Sequence, residues 1–102
     1  MAKTVAWTDN AREDLREIFL YINISSPYYA ETVVKTIGDK VETLDELSER
    51  GRIVPELEVH TIRELFVYQY RVLYQVEEAR VVILGIAHMS RDFSTYWKSI
   101  QN

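Results

Sequence analysis

Gly51-Arg52-Ile53-Val54-Pro55-Glu56, Ile62-Arg63-Glu64-Leu65, Tyr70-Arg71-Val72-Leu73-Tyr74 and Ile83-Leu84-Gly85-Ile86-Ala87-His88, closed by Arg91-Asp92, are the segments that decide the fold. After Pro55 the apolar period shortens from helical spacing to strict alternation. Within residues 60–67, Ile62, Glu64 and Phe66 fall on one side of a strand and Arg63, Leu65 and Val67 on the other. Within 68–76, Tyr68, Tyr70, Val72, Tyr74 and Val76 share a core-facing side, while Gln69, Arg71, Leu73 and Gln75 share a more exposed one. Glu77-Glu78-Ala79 reads as a turn, and Val81 to Ala87 is apolar on both sides, as in a central strand. An arginine is costly to bury, so this reading sets the arginines of these runs on an open face of the sheet, available to an anion or an acidic partner.

The first half of the chain is helical by the same test. Val5-Ala6-Trp7 is a short first strand. Thr8, Asp9 and Asn10 then compete as helix caps, with Asn10 and Glu13 in capping-box spacing. Ala11, Leu15, Ile18, Phe19 and Ile22 recur at helical intervals, which predicts a helix from about residue 10 to about residue 24. Ser26-Pro27 restarts the chain as a cap followed by a first-turn proline. Ala30, Val33, Val34, Ile37, Val41, Leu44 and Leu47 continue a stripe that the spacing carries to Gly51, placed as a left-handed helix stop. So short a connection makes the two helices antiparallel neighbours. Phe93, Tyr96, Trp97 and Ile100 predict a short helix within 90–100. The expected fold is α+β, in the order β-α-α-β-β-β, with a helical hairpin on one face of a small, mainly antiparallel sheet and a short C-terminal helix.

Composition narrows the function classes. The 102 residues make one domain, 1–102, with 47% hydrophobic and 27% charged residues, a folded composition. No stretch reaches the roughly 18 apolar residues of a membrane span, and Met1 to Asp9 lacks the apolar core of a secretory signal. Cysteine is absent, which excludes disulfides and thiolate chemistry. A cytoplasmic protein without a cofactor or metal is expected; His60 and His88 are too far apart in the chain to suggest a metal pair. Residues 1–50 hold six basic and ten acidic side chains, and residues 51–102 hold six of each. That balance argues against a protein whose main task is gripping nucleic acid.

The chain resembles the ParE/RelE superfamily of toxins from type II toxin–antitoxin modules, once also called plasmid stabilisation proteins. The resemblance runs nearly end to end. It is carried by Trp7-Thr8, Ala11-Arg12-Glu13-Asp14-Leu15-Arg16-Glu17-Ile18, Tyr21-Ile22, Ser26-Pro27 and Ala30. It continues through Gly51-Arg52, Val54-Pro55-Glu56, Ile62-Arg63-Glu64-Leu65, Tyr70-Arg71-Val72-Leu73-Tyr74 and His88 with Arg91. It implies a toxin neutralised by a cognate antitoxin whose extended segment wraps its surface. One scaffold in this superfamily serves two activities: RelE-like members cut mRNA on the ribosome, and ParE-like members poison DNA gyrase. Arg63-Glu64-Leu65 and the His88, Arg91 ending resemble the ParE branch more closely.

The candidate residues follow from these two activities. For a gyrase-directed protein interface, the expected target-binding residues are Arg63, Arg71 and Arg91. For a nuclease, Arg63, Arg71 and Arg91 would clamp the phosphate while His88 moves protons and Tyr96 serves as a late tyrosine. The lysines used by RelE-like nucleases have no counterpart, since the sheet half has none before Lys98. Each residue has a structural reading beside the functional one. His88 fits a hydrogen-bonded strand end, Arg71 an ion pair and Asp92 a helix cap. Tyr68, Tyr70 and Tyr74 fit a sheet core. Apolar surface on the second helix and on Val81–Ala87 suggests a further contact, to an antitoxin strand or helix or to a second copy in a homodimer.

Overall fold

The computed structural model describes residues 2–101 and contains five strands and three helices in the described residues. β1 (Thr4–Trp7) leads into α1 (Asp9–Asn23) and α2 (Pro27–Glu42), followed by a 3₁₀ turn at Thr43–Asp45. β2 (Arg52–Ile53), β3 (Ile62–Val67), β4 (Tyr70–Val76) and β5 (Arg80–His88) follow, and α3 (Phe93–Ile100) is the last element among the described residues. The sheet order is β1-β5-β4-β3-β2. β1 runs parallel to β5, and every other neighbouring pair is antiparallel. The α+β fold and its helical hairpin are as expected; the two-residue edge strand β2 is an addition.

The caps sort themselves by chemistry. Thr8, not Asn10, caps α1, its hydroxyl accepting from the Ala11 N–H at 3.0 Å. Asn10 instead donates to the Leu84 carbonyl at 3.1 Å. Ser26 caps α2 ahead of Pro27, as the sequence indicates. α2 stops nine residues short of Gly51, because Thr43 turns its hydroxyl back onto the Lys40 carbonyl and the chain tightens into the 3₁₀ turn. Gly51 has no positive φ and ends no helix. Its role is close approach: a Cβ there would collide with the Glu64 backbone and lie 2.6 Å from the Tyr74 hydroxyl, which accepts from the Gly51 N–H at 2.8 Å.

Two cores form on the two faces of the sheet. The larger lies under the hairpin, where Val33, Ile37, Val41 and Leu44 meet Leu65, Val67, Val72, Tyr74, Val81, Ile83 and Ile86. The smaller lies on the other face, where Val54, Ile62, Leu73 and Ala87 pack against Phe93 and Tyr96 of α3. The expectation of an uncovered second face is therefore corrected. An eight-residue helix is too short to persist alone, and α3 buries its apolar side chains on this face of the sheet. Leu73, read as more exposed, is fully buried for this reason.

A polar knot joins both layers through the sheet. The pairing of β4 with β5 shifts register between Leu73 and Tyr74, so Leu84 is bulged out of the ladder. Its carbonyl accepts from Thr8 Oγ1 at 3.2 Å as well as from Asn10. The Asp14 carboxylate accepts from the Ile86 N–H at 2.9 Å, from Asn10 Nδ2 at 3.2 Å and from the Tyr96 hydroxyl. Gly85 leaves the room this requires, since a Cβ would collide with the Tyr96 hydroxyl. Burial and the facing Asp14 carboxylate hold the Tyr96 phenol above its ordinary range, so it stays a donor.

Candidate functional site

Alternation along β3 and β4 puts Glu64, Phe66, Arg71 and Leu73 on the α3 face of the sheet, in register as Glu64–Leu73 and Phe66–Arg71 pairs. Glu64 is fully buried there, and its carboxylate accepts from Arg71 Nε at 2.5 Å and from Arg52 Nε at 2.7 Å. Arg71 then forks onto Glu56, with Nη1 to Oε2 at 2.9 Å and Nη2 to Oε1 at 2.7 Å. Its guanidinium also lies 4.5 Å from the Phe93 ring centre, and Arg52 lies 5.0 Å from that of Phe66. The result is a chain of alternating charges, Arg52, Glu64, Arg71, Glu56, that is neutral in sum and runs from the sheet edge to the segment after β2.

The electrostatics follow from that chain. The fork from Arg71 holds the Glu56 carboxyl below its ordinary value, against a smaller opposing effect of burial. The same bond to Glu56, with Glu64 behind it, raises Arg71 further. Arg71 directs three N–H groups at carboxylates and keeps a tenth of its side-chain surface exposed. Arg52 is the open end of the network, more than half exposed. Arg91 is also exposed and stacks its guanidinium 4.7 Å from the centre of Tyr96.

The four arginine and histidine candidates are not brought together. Arg63 faces the other way from Glu64, as the alternation predicts, and donates to the Gly51 carbonyl at 2.7 Å and more weakly to Glu49. It fastens the 49–51 segment to β3. Arg71 is the centre of the ion network. His88 pairs in register with Tyr70 on the hairpin side of the sheet, opposite Arg71. Its Nδ1 accepts from the Ser90 N–H at 3.0 Å, which suits the tautomer carrying the proton on Nε2, toward Gln69 Oε1 at 3.3 Å. Arg91 remains on the α3 side. Asp92 caps α3, accepting from the Thr95 N–H at 3.0 Å and from its hydroxyl. Tyr96, with its hydroxyl on Asp14, is a core residue.

Arg71 was expected on an open face and is internally paired; that expectation is corrected. Its reason is Glu64, a carboxylate that alternation places on the same face one strand away. Sequence reading missed Arg52 and Glu56 as members of this site. The signal for both was present in Gly51-Arg52 and Pro55-Glu56, but neither lies in a strand long enough to assign a face. Among the described residues no group of His, Asp and Glu side chains is placed to hold a metal ion, and no helix is long and apolar enough to cross a membrane.

Comparison with known proteins agrees with this architecture. Residues 5–93 match the family described as ParE toxin of type II toxin-antitoxin system, parDE. Among solved structures, a chain of the chromosomal ParDE system of P. aeruginosa superposes with a TM-score of 0.71 at 26% identity, covering 85% of this chain and 96% of that one. A chain of the RelBE2 toxin-antitoxin complex of Mycobacterium tuberculosis gives a TM-score of 0.58 at 27% identity, over 86% and 99% of the two chains. Free E. coli toxin RelE shares the fold, with a TM-score of 0.68 at 16% identity over 99% and 97%. No curated protein sequence matches. With a matched span that reaches from β1 to the start of α3, the chain belongs to the ParE toxin family within the ParE/RelE superfamily.

Proposed function

We propose that the chain is the toxin of a type II toxin–antitoxin module of ParE type, which inhibits DNA gyrase by binding it as a protein and is neutralised by a cognate antitoxin. The observation that carries this reading is the commitment of Arg71 to Glu64 and Glu56, with His88 on the opposite face. Cleavage of RNA needs a base, an acid and cations around one phosphate. Here the cation nearest the centre is already neutralised and the histidine is elsewhere. A protein interface needs only presented anchors, and arginine is a favoured one.

Of the three expected target-binding arginines, Arg91 is presented outward, with Arg52, the exposed end of the ion network, as a fourth. Arg71 acts through Glu56, holding it and the segment after β2 in place, and Arg63 holds the segment before it. The family membership supports an antitoxin partner, as does the likeness to chains from ParDE and RelBE2 systems. A gyrase target implies a cytoplasmic site of action.

The test is a supercoiling assay with purified full-length toxin, gyrase and relaxed plasmid. The expected result is inhibition with trapped cleavage complexes, weakened at least tenfold in the Arg52→Ala, Arg91→Ala double variant, as loss of about 1.4 kcal/mol or more of interface energy requires. Full supercoiling activity in the presence of toxin, together with cut messages on translating ribosomes, would reverse the assignment toward a RelE-type endoribonuclease.

A further inference from the structure

A second surface lies on the hairpin side of the sheet, where α1 ends and α2 begins against the β3–β4 turn. A cleft of about 790 Å³ opens there, walled by Tyr21, Tyr29, Tyr68 and Tyr70 with Gln69 and His88 at one end. Tyr21, Tyr29 and Tyr68 are each about half exposed or more. Tyr29 and Tyr68 meet edge to face at 6.5 Å, and Tyr70 and His88 do so at 5.4 Å.

Tyr68 makes this arrangement unusual. It is the first residue of the two-residue turn between Val67 and Tyr70, and its φ is 52°. No other non-glycine residue among the described residues has a positive φ. Such turns favour Gly or Asn there, and a bulky ring in the left-handed region carries a conformational cost. The fold keeps an aromatic ring at the one backbone position least suited to it, and aims it at the cleft. Strain of this kind is commonly retained where a side chain has a binding role.

The charge of the occupant follows from what lines the cleft. No lysine, arginine, aspartate or glutamate contributes to its wall. The last turn of α1 has no basic residue, so the negative end of the helix dipole at the cleft is not offset. Glu17 is exposed one helical turn before Tyr21, on the same side of α1. The half-buried Tyr70 phenol, raised above its ordinary range by loss of solvent and by Tyr29 and Tyr21, remains a neutral hydroxyl. Four electron-rich rings, phenolic oxygens and a helix C-terminus attract a cation. A nucleic-acid strand would find bases to stack but no cation for its phosphates.

We propose that this tyrosine cleft receives an arginine or lysine side chain presented by a partner polypeptide, inserted between Tyr21 and Tyr68 with its charge against the rings. The inference stands on the cleft alone and holds whichever macromolecule the toxin poisons. It gives the acidic helical half a role distinct from that of the arginine-bearing face of the sheet.

The experiment follows the tyrosine ring resonances of the full-length protein during titration with a short glycine–serine peptide carrying a central arginine. The control peptide replaces that arginine by citrulline, which has nearly the same shape and no charge. The expected result is saturable shifts at Tyr21, Tyr29, Tyr68 and Tyr70, with the citrulline peptide weaker by about tenfold, the scale of a cation over aromatic faces. Tyr21→Leu, which keeps an apolar exposed helix residue, and Tyr68→Asn, which tolerates the left-handed turn, should each lose most of the arginine response while unfolding at or above the parent temperature. Equal binding of both peptides would overturn the proposal in favour of a merely apolar cleft. Tighter shifts with oligodeoxythymidylate than with the arginine peptide would overturn it in favour of base stacking. Absence of saturable shifts at millimolar arginine peptide would overturn it outright.

Discussion

Arg71 and Glu64 show how much a single carboxylate decides. Glu64 has no exposed surface, so it is tolerable only as the acceptor of two guanidiniums. Replacing Arg71 by Ala leaves that charge buried against Arg52 alone, and urea unfolding is expected to show a loss of about 3–5 kcal/mol. Arg71→Met combined with Glu64→Leu should recover most of it, because a packed apolar pair of similar volume removes the uncompensated charge. Glu56 adds a pH signature. Its folded pKa lies below the ordinary 4.5, so its contribution to stability is complete above that value and disappears as the pH falls through the depressed one. Glu56→Gln should flatten this part of the acid limb in thermal melts between neutral and acid pH, and it should lower stability at neutral pH. Alternation alone told Arg63 from Glu64. It could not tell that Arg71 would find Glu56, which belongs to the connection after β2 and has no periodicity to read.

At the scale of elements, α3 depends on two different kinds of contact. Phe93, Tyr96 and Trp97 bury apolar surface on the sheet, and the Tyr96 hydroxyl on Asp14 fixes the angle of approach. Tyr96→Phe keeps the packing and removes the bond to the carboxylate. The expected cost is about 1.5–3 kcal/mol, seen as faster amide exchange in α3 while the exchange of β4 and the central part of β5 is less affected. The existence of α3 was legible in the spacing of Phe93, Tyr96, Trp97 and Ile100. Its destination was not, because a C-terminal helix of two turns can pack on either face and the deciding pair, Gly85 with Asp14, is made of residues distant in the chain. The end of α2 failed for the opposite reason. The stripe at Leu44 and Leu47 continues past the helix, and Leu44 is buried from a 3₁₀ turn that shares the same apolar side. Gly51 was recognised as necessary but for the wrong constraint: it yields space to Glu64 and Tyr74, not a backbone turn.

In the whole molecule, β1 forms one edge of the sheet, parallel to β5, and lets β1–α1–α2 cover one face as a unit. Lys3 secures the strand by donating through Nζ to the Glu77 carbonyl at 2.5 Å, at the β4–β5 turn. The two proposed partner surfaces lie apart. One carries Arg91 and the exposed end of the ion chain at Arg52, and the other carries tyrosines without charge. The sequence made the helical pair, the three longer strands and the family resemblance readable, since each rests on local periodicity or ordered motifs. It did not make readable which cations remain outward, because that depends on carboxylates brought in from other segments. On the proposed function, the chain is a binding protein whose central guanidinium is satisfied from within. The most direct test is induction of the intact chain without antitoxin in bacteria, with chromosomal DNA breaks and message ends followed in the same cells. The expected result is DNA breaks with an SOS response and intact messages, unchanged in His88→Gln and strongly reduced in the Arg52→Ala, Arg91→Ala variant; site-specific message cleavage over unbroken DNA, lost in His88→Gln, would overturn the gyrase assignment.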